Sequence, residues 1–363
     1  MSSIPRFYYS PRILGYDFGP QHPLKPERLR RTVELLERYG LVAIDPGEPF
    51  VEDALRVHTP PYVQEVLRLS EMLPLTLEDR AEAAVYGFGS TDNPPFEGMF
   101  EASMAYTAAT ARAAEAVRDG APLAFGIGGG LHHAMPSRAS GFCIFNDPAV
   151  ACHILLERFD RVAYVDIDVH HGDGVQWIFY DEPRVLTCSI HEEPRTLFPG
   201  TGGVEETGVE FTSLNVPLQA KTTGEVWLDA FRRTIPPALE KYRPGAIVLQ
   251  LGTDTHYLDP LGHIRSTQFH WLEAVRDVMA LRLPLVAVGG GGYNLTTVPR
   301  MWASACLTLA GVPYEDAVPK DLADAWGMPT YGDSETPLGV GADFAEDVVG
   351  WLREHHLPNV PAV

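Results

Sequence analysis

Three aspartates and two histidines crowd into segment 164–174, YVDIDVHHGDG, directly after an apolar run. The run is short, β-branched and aromatic, which predicts a buried strand. If the chain stays extended, alternate residues share one side, so Asp166, Asp168 and His170 face together. Carboxylate oxygen and neutral imidazole nitrogen suit zinc or another first-row divalent ion. The segment therefore predicts a metal site, whose third ligand must come from elsewhere in the chain.

Other reactive side chains follow three further apolar runs that are predicted strands. His132 and His133 follow residues 122–127, Asp254 follows residues 245–251, and Tyr293 follows residues 283–288. Because the predicted strands alternate with helical stretches, we expect an α/β fold with a mainly parallel sheet and helices on both faces. Such sheets bind ligands at the carboxyl ends of their strands, so one pocket is expected to hold all these groups. Asp254 is the candidate third ligand, with a helix N-cap as its alternative role.

Two glycine-rich stretches raise the alternative of a nucleotide site. In the stretch from Gly126, Leu131 occupies the sixth position of G-x-G-x-x-G, and two histidines stand where a helix would begin. No Lys-Ser/Thr pair follows the second stretch, from Gly289 to Gly292. Both departures argue against nucleotide binding.

Composition narrows the possible functions of the 363 residues. The formal net charge of −20 argues against nucleic-acid binding. The charge would suit a basic substrate such as a lysine-rich segment, but it is more typical of ordinary solubility in an acidic protein. A hydrophobic content of 45% fits one globular domain over residues 1–363. We expect the acidic, Pro/Gly-rich segment from about 312 to 363 to pack on that domain.

Cysteine use and the N-terminal sequence predict a cytoplasmic protein. The four cysteines lie far apart without a C-x-x-C pair, as is typical of free thiols in a reducing compartment. The N-terminus lacks a charged segment followed by an apolar one, and no apolar run approaches about 18 residues. Neither secretion nor a membrane-spanning segment is expected.

Four motifs in order resemble the zinc-dependent histone deacetylase family: GGGLHHAMPSRASGFCIFND, DIDVHHGDGV, GTD followed by DPLG, and GGGGYN. The resemblance extends from about Tyr8 to Thr308. GLHH, together with HPLKPERLR from His22, is similar to class I enzymes and to bacterial acetoin-utilisation deacetylases. The resemblance implies the arginase-deacetylase fold, with an eight-stranded parallel sheet flanked by helices.

The resemblance also implies a catalytic centre. Zinc, or iron(II) in vivo, would be held by Asp168, His170 and Asp254, with open positions for water and a carbonyl oxygen. His133 would be the general base and later the acid, and His132 would assist electrostatically. Asp173 would orient His133, and Asp166 would orient His132. Tyr293 would donate a hydrogen bond from its hydroxyl to the oxyanion.

Further residues match the family's substrate and potassium sites. Phe142 and Phe198 match the aromatic walls of an acyl-lysine tunnel, and Gly141 matches the residue whose carbonyl meets the substrate amide. Leu261 matches a residue at the rim of this tunnel. Asp92 matches an acidic loop residue that binds backbone N–H groups of the substrate, and Arg28 matches an arginine at the exit for acetate. A structural potassium ion is expected at Asp166, Asp168, His170, Ser189 and Ile190, and a second monovalent site is expected near Phe179 and Val185. The chain departs from its relatives at His256 and Tyr257, which are larger than usual and leave the width of the pocket open.

These residues predict a zinc-dependent amidohydrolase that removes acetyl groups from lysine side chains of proteins, such as an acetyl-CoA synthetase. An acetylpolyamine amidohydrolase is the first alternative, and a non-catalytic acyl-lysine reader or scaffold is the second. Intact His132, His133 and Tyr293 argue against a reader, which needs no general base. A two-manganese ureohydrolase would need a second D-x-D cluster, whereas Thr255 follows Asp254.

Overall fold

The computed structural model describes residues 5–362. Within them a seven-stranded, entirely parallel sheet has the order β1-β2-β7-β6-β3-β4-β5. In chain order the strands are β1 (Arg6–Phe7), β2 (Leu123–Gly126), β3 (Val162–Asp166), β4 (Val185–Glu192), β5 (Ser213–Leu218), β6 (Ala246–Gln250) and β7 (Leu285–Val288). The predicted parallel α/β sheet is confirmed, but the described chain forms seven strands where eight were expected.

Helices cover the sheet. They are α1 (Glu27–Arg38), α2 (Val51–Leu55), α3 (Pro60–Glu71), α4 (Leu77–Val85), α5 (Met99–Arg118), α6 (Asp147–Leu155), α7 (Asp173–Ile178), α8 (Gly224–Tyr242), α9 (Gln268–Ala280), α10 (Thr297–Ala310), α11 (Lys320–Trp326) and α12 (Ala342–Trp351). Every residue of β2 to β7 is buried, because helices pack on both faces of the sheet. This explains why β2, β3, β6 and β7 are almost entirely apolar in sequence rather than alternating between apolar and polar residues.

The segment after α10 packs on the rest of the chain. Lys241 donates to the carbonyls of Leu357 and Pro358, and Arg161 donates to that of Pro361. Contacts of α12 with α8 and β5 extend the same interface. The segment from 312 to 362 therefore lies against the helices and strands described above. That the chain is a single domain stays a prediction.

The two glycine-rich loops pack against each other. Gly130 has φ +93°, and a Cβ atom there would lie 2.3 Å from the carbonyl carbon of Gly289. A Cβ on Gly289 would in turn lie 2.2 Å from the carbonyl oxygen of Ile127. Contacts this short exclude any side chain, so these glycines allow two backbones to approach. The loops after β2 and β7 are thereby held side by side.

No helix within residues 5–362 has both the length and the apolar character that crossing a membrane requires.

Candidate metal and catalytic site

Four neighbouring strands, β2, β7, β6 and β3, end in the loops that carry the predicted site residues. The loop after β2 carries His132 and His133, and the loop after β3 begins with Ile167 and carries Asp168 and His170. Asp254 follows β6 and Tyr293 follows β7. Since all four strands are parallel, these loops meet at one edge of the sheet. The sequence-based expectation of one shared pocket agrees with this topology.

Three side chains form a buried cluster with the donor set of a divalent metal site. The Nδ1 atom of His170 lies 3.1 Å from Asp168 Oδ1 and 3.1 Å from Asp254 Oδ2. One ligand atom from each residue lies within 4.8 Å of the others, and both carboxylates are fully buried. Two buried carboxylates side by side require a compensating positive charge. Oxygen, nitrogen and oxygen donors around one point therefore fit a divalent cation.

The neighbouring backbone and one amide hold the cluster in place. Asp168 Oδ2 accepts hydrogen bonds from Gln250 Nε2 at 2.8 Å and from the Gly291 amide at 2.7 Å. Asp254 Oδ1 accepts one from the Val169 amide at 2.9 Å. Burial and the charge of Asp168 raise the pKa of Asp254 above its usual range. Hydrogen bonds from the chain thus orient the carboxylates of Asp168 and Asp254. A bound cation would neutralise their negative charge and so remove the repulsion between them.

Each of the two adjacent histidines has its own aspartate. His132 Nδ1 lies 2.7 Å from Asp166 Oδ2, and His133 Nδ1 lies 2.6 Å from Asp173 Oδ1. The two Nε2 atoms are 3.0 Å apart. An aspartate that accepts from Nδ1–H leaves Nε2 as the reactive nitrogen. The geometry agrees with the orienting roles predicted for Asp166 and Asp173.

The two imidazoles have pKa values that are shifted in opposite directions. Burial lowers the pKa of His132, but the charges of Asp166 and Asp168 outweigh it and raise the value to about 9. Burial and the charge of His132 lower the pKa of His133 to about 4. At neutral pH His133 is therefore the neutral member of the pair, with an unprotonated Nε2 that faces Nε2 of His132.

Tyr293 lies beside the cluster. Its backbone amide donates to Asp259 Oδ2 at 2.7 Å, and the Arg28 guanidinium carbon lies 5.9 Å from its ring centroid. Burial, together with the charges of Asp254 and Asp168, raises the pKa of the phenol well above its usual value. The hydroxyl therefore stays protonated near the carboxylates and is available as a hydrogen-bond donor.

Aromatic rings surround the histidines and the tyrosine. The ring of Phe198 lies 4.9 Å from that of His133, and the ring of Phe142 lies 5.6 Å from that of Tyr293. A Cβ atom on Gly141 would lie 2.4 Å from His133 Cδ2 and 2.8 Å from Phe198 Cε1. Gly141 and Phe198 therefore lie against His133, and Phe142 lies against Tyr293. Phe198 remains 43% exposed, so this wall is open to incoming ligand.

The predicted rim and exit residues lie around this centre. Leu261 is half-buried, and its amide donates to Asp259 Oδ1 at 3.0 Å, on the carboxylate that also holds Tyr293. Asp92 is exposed, and its carbonyl contacts His22 at 3.2 Å. Arg28 is buried, donates to the carbonyls of Gly290 and Gly292 at 2.9 and 2.8 Å, and lines a small cavity of about 30 Å³. Their roles in binding substrate or releasing product stay predictions.

Of the residues expected to hold potassium, Asp166, Ser189 and Ile190 lie on the neighbouring strands β3 and β4, and Asp168 and His170 lie in the loop after β3. Asp166 on β3 pairs with Ser189 on β4, and Ile190 follows directly. The Ser189 hydroxyl contacts His191 Nδ1 at 2.9 Å. Main-chain oxygens of Asp166, Asp168 and His170 as ligands stay a prediction, as does the second site near Phe179 and Val185.

His256 packs against the C-terminal segment, and Tyr257 packs on His256. His256 is completely buried, with Nε2 3.0 Å from the carboxylate of Asp333, and the rings of His256 and Tyr257 stack with centroids 4.7 Å apart. The larger side chain at position 256 is therefore accommodated by a contact with a residue after 312, which the sequence did not indicate.

Three supporting residues were not singled out from the sequence. Gln250 is the last residue of β6, Asp259 belongs to DPLG, and Asp147 ends the motif FND. Asp147 accepts hydrogen bonds from the amides of Gly130 and Leu131 and from Thr110, and so fixes the backbone before His132. The last two lie inside the matched motifs, which was the available signal. Which atoms they hold depends on the loops meeting in space.

Comparisons with known proteins agree with this geometry. The family model described as the histone deacetylase domain matches residues 22–309. The chain is 39% identical over 337 residues to the acetoin utilization protein AcuC of Bacillus subtilis (strain 168), covering 88% of this chain and 86% of the relative. It is 36% identical to the histone deacetylase clr6 of Schizosaccharomyces pombe (strain 972 / ATCC 24843), covering 86% and 78% respectively. AcuC of Staphylococcus aureus (strain MSSA476) is 35% identical, with 90% and 87% covered.

The family implies a divalent metal, and the buried Asp168, His170 and Asp254 cluster fits one. With a family model spanning most of the chain and relatives that cover nearly nine tenths of it, the protein belongs to the histone deacetylase family and is a hydrolase of the deacetylase type.

Proposed function

We propose that the protein removes acetyl groups from acetyl-lysine side chains of other proteins, using zinc or iron(II) held by Asp168, His170 and Asp254. The observation that carries the proposal is the 3.0 Å contact between the Nε2 atoms of His132 and His133 beside that cluster, with each Nδ1 on its own aspartate. A reader of acetyl-lysine needs a pocket but no oriented base, so this arrangement supports hydrolysis over binding alone.

The metal, when bound, supplies positive charge that polarises an amide carbonyl and makes water more acidic. The chain's own residues supply the proton transfers. Neutral His133 accepts a proton from water at Nε2 while Asp173 holds its Nδ1–H. The oxygen of that water bonds to the acetyl carbon, the carbon–nitrogen bond breaks, and the proton on His133 passes to the lysine amine. Acetate and free lysine are the products.

Tyr293 and His132 stabilise the charge that develops. The Tyr293 hydroxyl stays protonated and donates a hydrogen bond to the acetyl oxygen as it becomes negative. Protonated His132 lies against His133 and adds positive charge beside the reacting atoms. Phe142 and Phe198 provide flat apolar walls for the neutral side chain of an acetyl-lysine. A charged, unacetylated lysine would enter the space between these walls less readily, because burial of its charge is unfavourable.

Metal analysis tests the ligand set. Asp254→Asn should leave the purified protein with less than a tenth of the zinc of the unaltered chain, because an amide is a poor substitute for a carboxylate in this triad. Asp181→Asn, at an exposed position, is the matched control and should retain full zinc. Full occupancy in Asp254→Asn would remove Asp254 from the ligand set. A hydroxamate, which chelates such a metal, should inhibit the protein.

Protein-bound acetyl-lysine is proposed over acetylated polyamines because Asp92 is exposed on a loop suited to grip peptide backbone. The relatives named as acetoin utilization proteins favour a metabolic substrate, such as an acetyl-CoA synthetase. One preparation should therefore be assayed on an acetyl-lysine peptide, N-acetylputrescine and N8-acetylspermidine. The peptide should have the highest kcat/KM, and Asp92→Ala should lower it for the peptide alone. Faster polyamine turnover with no effect of Asp92→Ala would establish the acetylpolyamine alternative.

A structural potassium ion at Asp166, Asp168, His170, Ser189 and Ile190 is part of the same proposal. Its support is the β3–β4 pairing, which places Ser189 beside Asp166 one strand from the metal ligands. Thermal stability should rise with added KCl more than with added NaCl at equal ionic strength. Equal stabilisation by the two salts would argue against a selective site.

A further inference from the structure

The turn that carries the metal ligand Asp254 is bonded to the C-terminal segment, beyond the residues that the family model matches. His256 lies two residues after Asp254 and is completely buried. Its Nε2 atom lies 3.0 Å from both carboxylate oxygens of Asp333, whose side chain is 4% exposed. The family match ends at residue 309, so Asp333 comes from a segment outside it.

The direction of this hydrogen bond follows from the other ring nitrogen. The backbone amide of Leu258 donates to His256 Nδ1 at 3.2 Å, so Nδ1 is the acceptor. A neutral imidazole with Nδ1 accepting carries its proton on Nε2, and Nε2–H therefore donates to Asp333. Arg300 Nη2, which pairs with the same carboxylate, lies 3.2 Å from Nε2. One ring thus closes its own turn through Nδ1 and binds the C-terminal segment through Nε2.

Asp333 is itself held on several sides. The amide of Gln268, at the start of α9, donates to Asp333 Oδ2 at 2.7 Å. Arg300, buried on α10, forms an ion pair with Asp333 and donates to the carbonyl of Tyr331 at 2.7 Å. A buried carboxylate with these partners is a rigid anchor, because every partner lies on packed helix or backbone.

The turn transmits that anchoring to the reactive groups. The carbonyl of His256 accepts from the amide of Asp259 at 2.8 Å. Asp259 in turn accepts from the amides of Tyr293 at 2.7 Å and Leu261 at 3.0 Å. Asp254 opens the same turn, in which the His256 amide donates to the Thr253 carbonyl at 3.1 Å. A shift of His256 would therefore reach the metal ligand, Tyr293 and the rim residue together.

We propose that Asp333 is a positioning residue, which acts through His256 to hold Asp254 and Tyr293 in place. The segment after α10 therefore contributes to the geometry of the active centre. Asp333 contacts neither metal nor substrate. Loss of its bond to His256 should loosen the turn and so weaken metal retention and transition-state stabilisation together.

Two substitutions at position 256 separate this role from local packing. In His256→Gln the amide nitrogen takes the place of Nε2 and can still donate to Asp333, whereas the acceptor for Leu258 is lost. In His256→Asn the amide oxygen takes the place of Nδ1 and can still accept from Leu258, whereas the bond to Asp333 is lost. Both variants leave the Arg300–Asp333 ion pair intact, so neither leaves a buried charge without a partner.

The test uses the full chain loaded with zinc. Zinc release into excess EDTA is followed in time, and kcat and KM are measured on an acetyl-lysine peptide. His256→Asn and Asp333→Asn should release zinc roughly tenfold to a hundredfold faster and lower kcat with little change in KM. His256→Gln keeps the hydrogen bond to Asp333, so its rate of zinc release should stay within about twofold of that of the unaltered chain. Asp324→Asn, exposed in the same segment, is the control and should change neither quantity.

Three results would overturn the proposal: unchanged zinc release in His256→Asn, unchanged release in folded Asp333→Asn, or a larger defect in His256→Gln than in His256→Asn. The last would assign the effect to closure of the turn by Leu258. If Asp333→Asn does not fold, the two variants at position 256 decide. The kcat measurement rests on the proposed deacetylase function, whereas zinc release rests only on the proposed ligand set, which metal analysis of Asp254→Asn tests separately. A chain that binds zinc but does not deacetylate would therefore still test the positioning role.

Discussion

His132 and His133 are adjacent in the chain, yet their Nδ1 atoms contact different aspartates while their Nε2 atoms lie 3.0 Å apart. Each ring is therefore held in orientation through its Nδ1 atom, and the two Nε2 atoms lie next to each other. Because burial, together with the charge of His132, lowers the pKa of His133, this ring stays neutral and can accept a proton.

Removing the orienting carboxylate of His133 should slow turnover without removing the metal. In Asp173→Asn the amide can donate to Nδ1, which favours the tautomer with its proton on Nε2 and blocks that nitrogen as a base. We expect kcat to fall by roughly tenfold to a hundredfold, and His133→Ala to lower it by roughly a hundredfold or more. Zinc content measured on the same samples should be unchanged. Turnover near that of the unaltered chain in His133→Ala would exclude it as the base.

Tyr293→Phe removes one hydroxyl and little else. Loss of a hydrogen-bond donor to a developing oxyanion should lower kcat by roughly a hundredfold to a thousandfold, while KM and zinc content change little. Tyr257→Phe is the control, since Tyr257 lies on the neighbouring turn and its ring stacks on His256. Steady-state kinetics on an acetyl-lysine peptide provide the measurement. Equal kcat values in the two variants would mean that Tyr293 does not act on the transition state.

Gly141→Ala should damage both stability and activity. The residue has φ +50°, where a side chain costs about 1–2 kcal/mol, and the new methyl group would lie 2.4 Å from His133 Cδ2. Displacement of the histidine ring should lower kcat by roughly a hundredfold. Gly350→Ala, on α12 with open space around it, should leave kcat unchanged and raise the free energy of unfolding slightly. Full activity in Gly141→Ala would show that the histidine loop readily accommodates the methyl group.

The stability of the protein should fall as pH is lowered, in part through His58. Its Nδ1 lies 3.1 Å from the Met135 carbonyl and its Nε2 accepts from the Asn146 amide at 2.9 Å, so the folded chain holds the ring neutral. Burial lowers the pKa of His58 from its usual 6.5 to about 4. Between these values the unfolded chain binds a proton that the folded chain does not, so stability is lost as pH falls below about 6.5.

From pH 7 to pH 5 this single group should cost about 2 kcal/mol in the free energy of unfolding. Urea unfolding of His58→Gln and of the unaltered chain at both pH values measures the difference. The variant, whose amide does not titrate, should lose less stability over that interval. Parallel losses in the two proteins would show that His58 is protonated in the folded state or neutral in both states.

Much of the site was predictable from the sequence because its residues occur at short spacings and directly after apolar runs. Asp168 and His170 are two residues apart directly after a buried strand. The strand ends at Asp166 rather than continuing through His170, yet the loop that follows still brings both side chains to one point. Asp254 and Tyr293 follow apolar runs, and parallel strands bring their carboxyl ends to a common edge. Spacing and strand ends therefore indicated the metal cluster, the histidine pair and the tyrosine before any contact was known.

The tertiary structure alone decided which groups support that cluster. Gln250, Asp147 and Asp259 read as ordinary polar residues, and their hydrogen bonds join loops that are far apart in sequence. His256 suggested only a change in pocket width, whereas its partner is Asp333, 77 residues away. The order of the seven strands likewise had no local signal. Periodicity reports which face of an element is buried, but partner choice depends on packing between distant elements, which no local pattern contains.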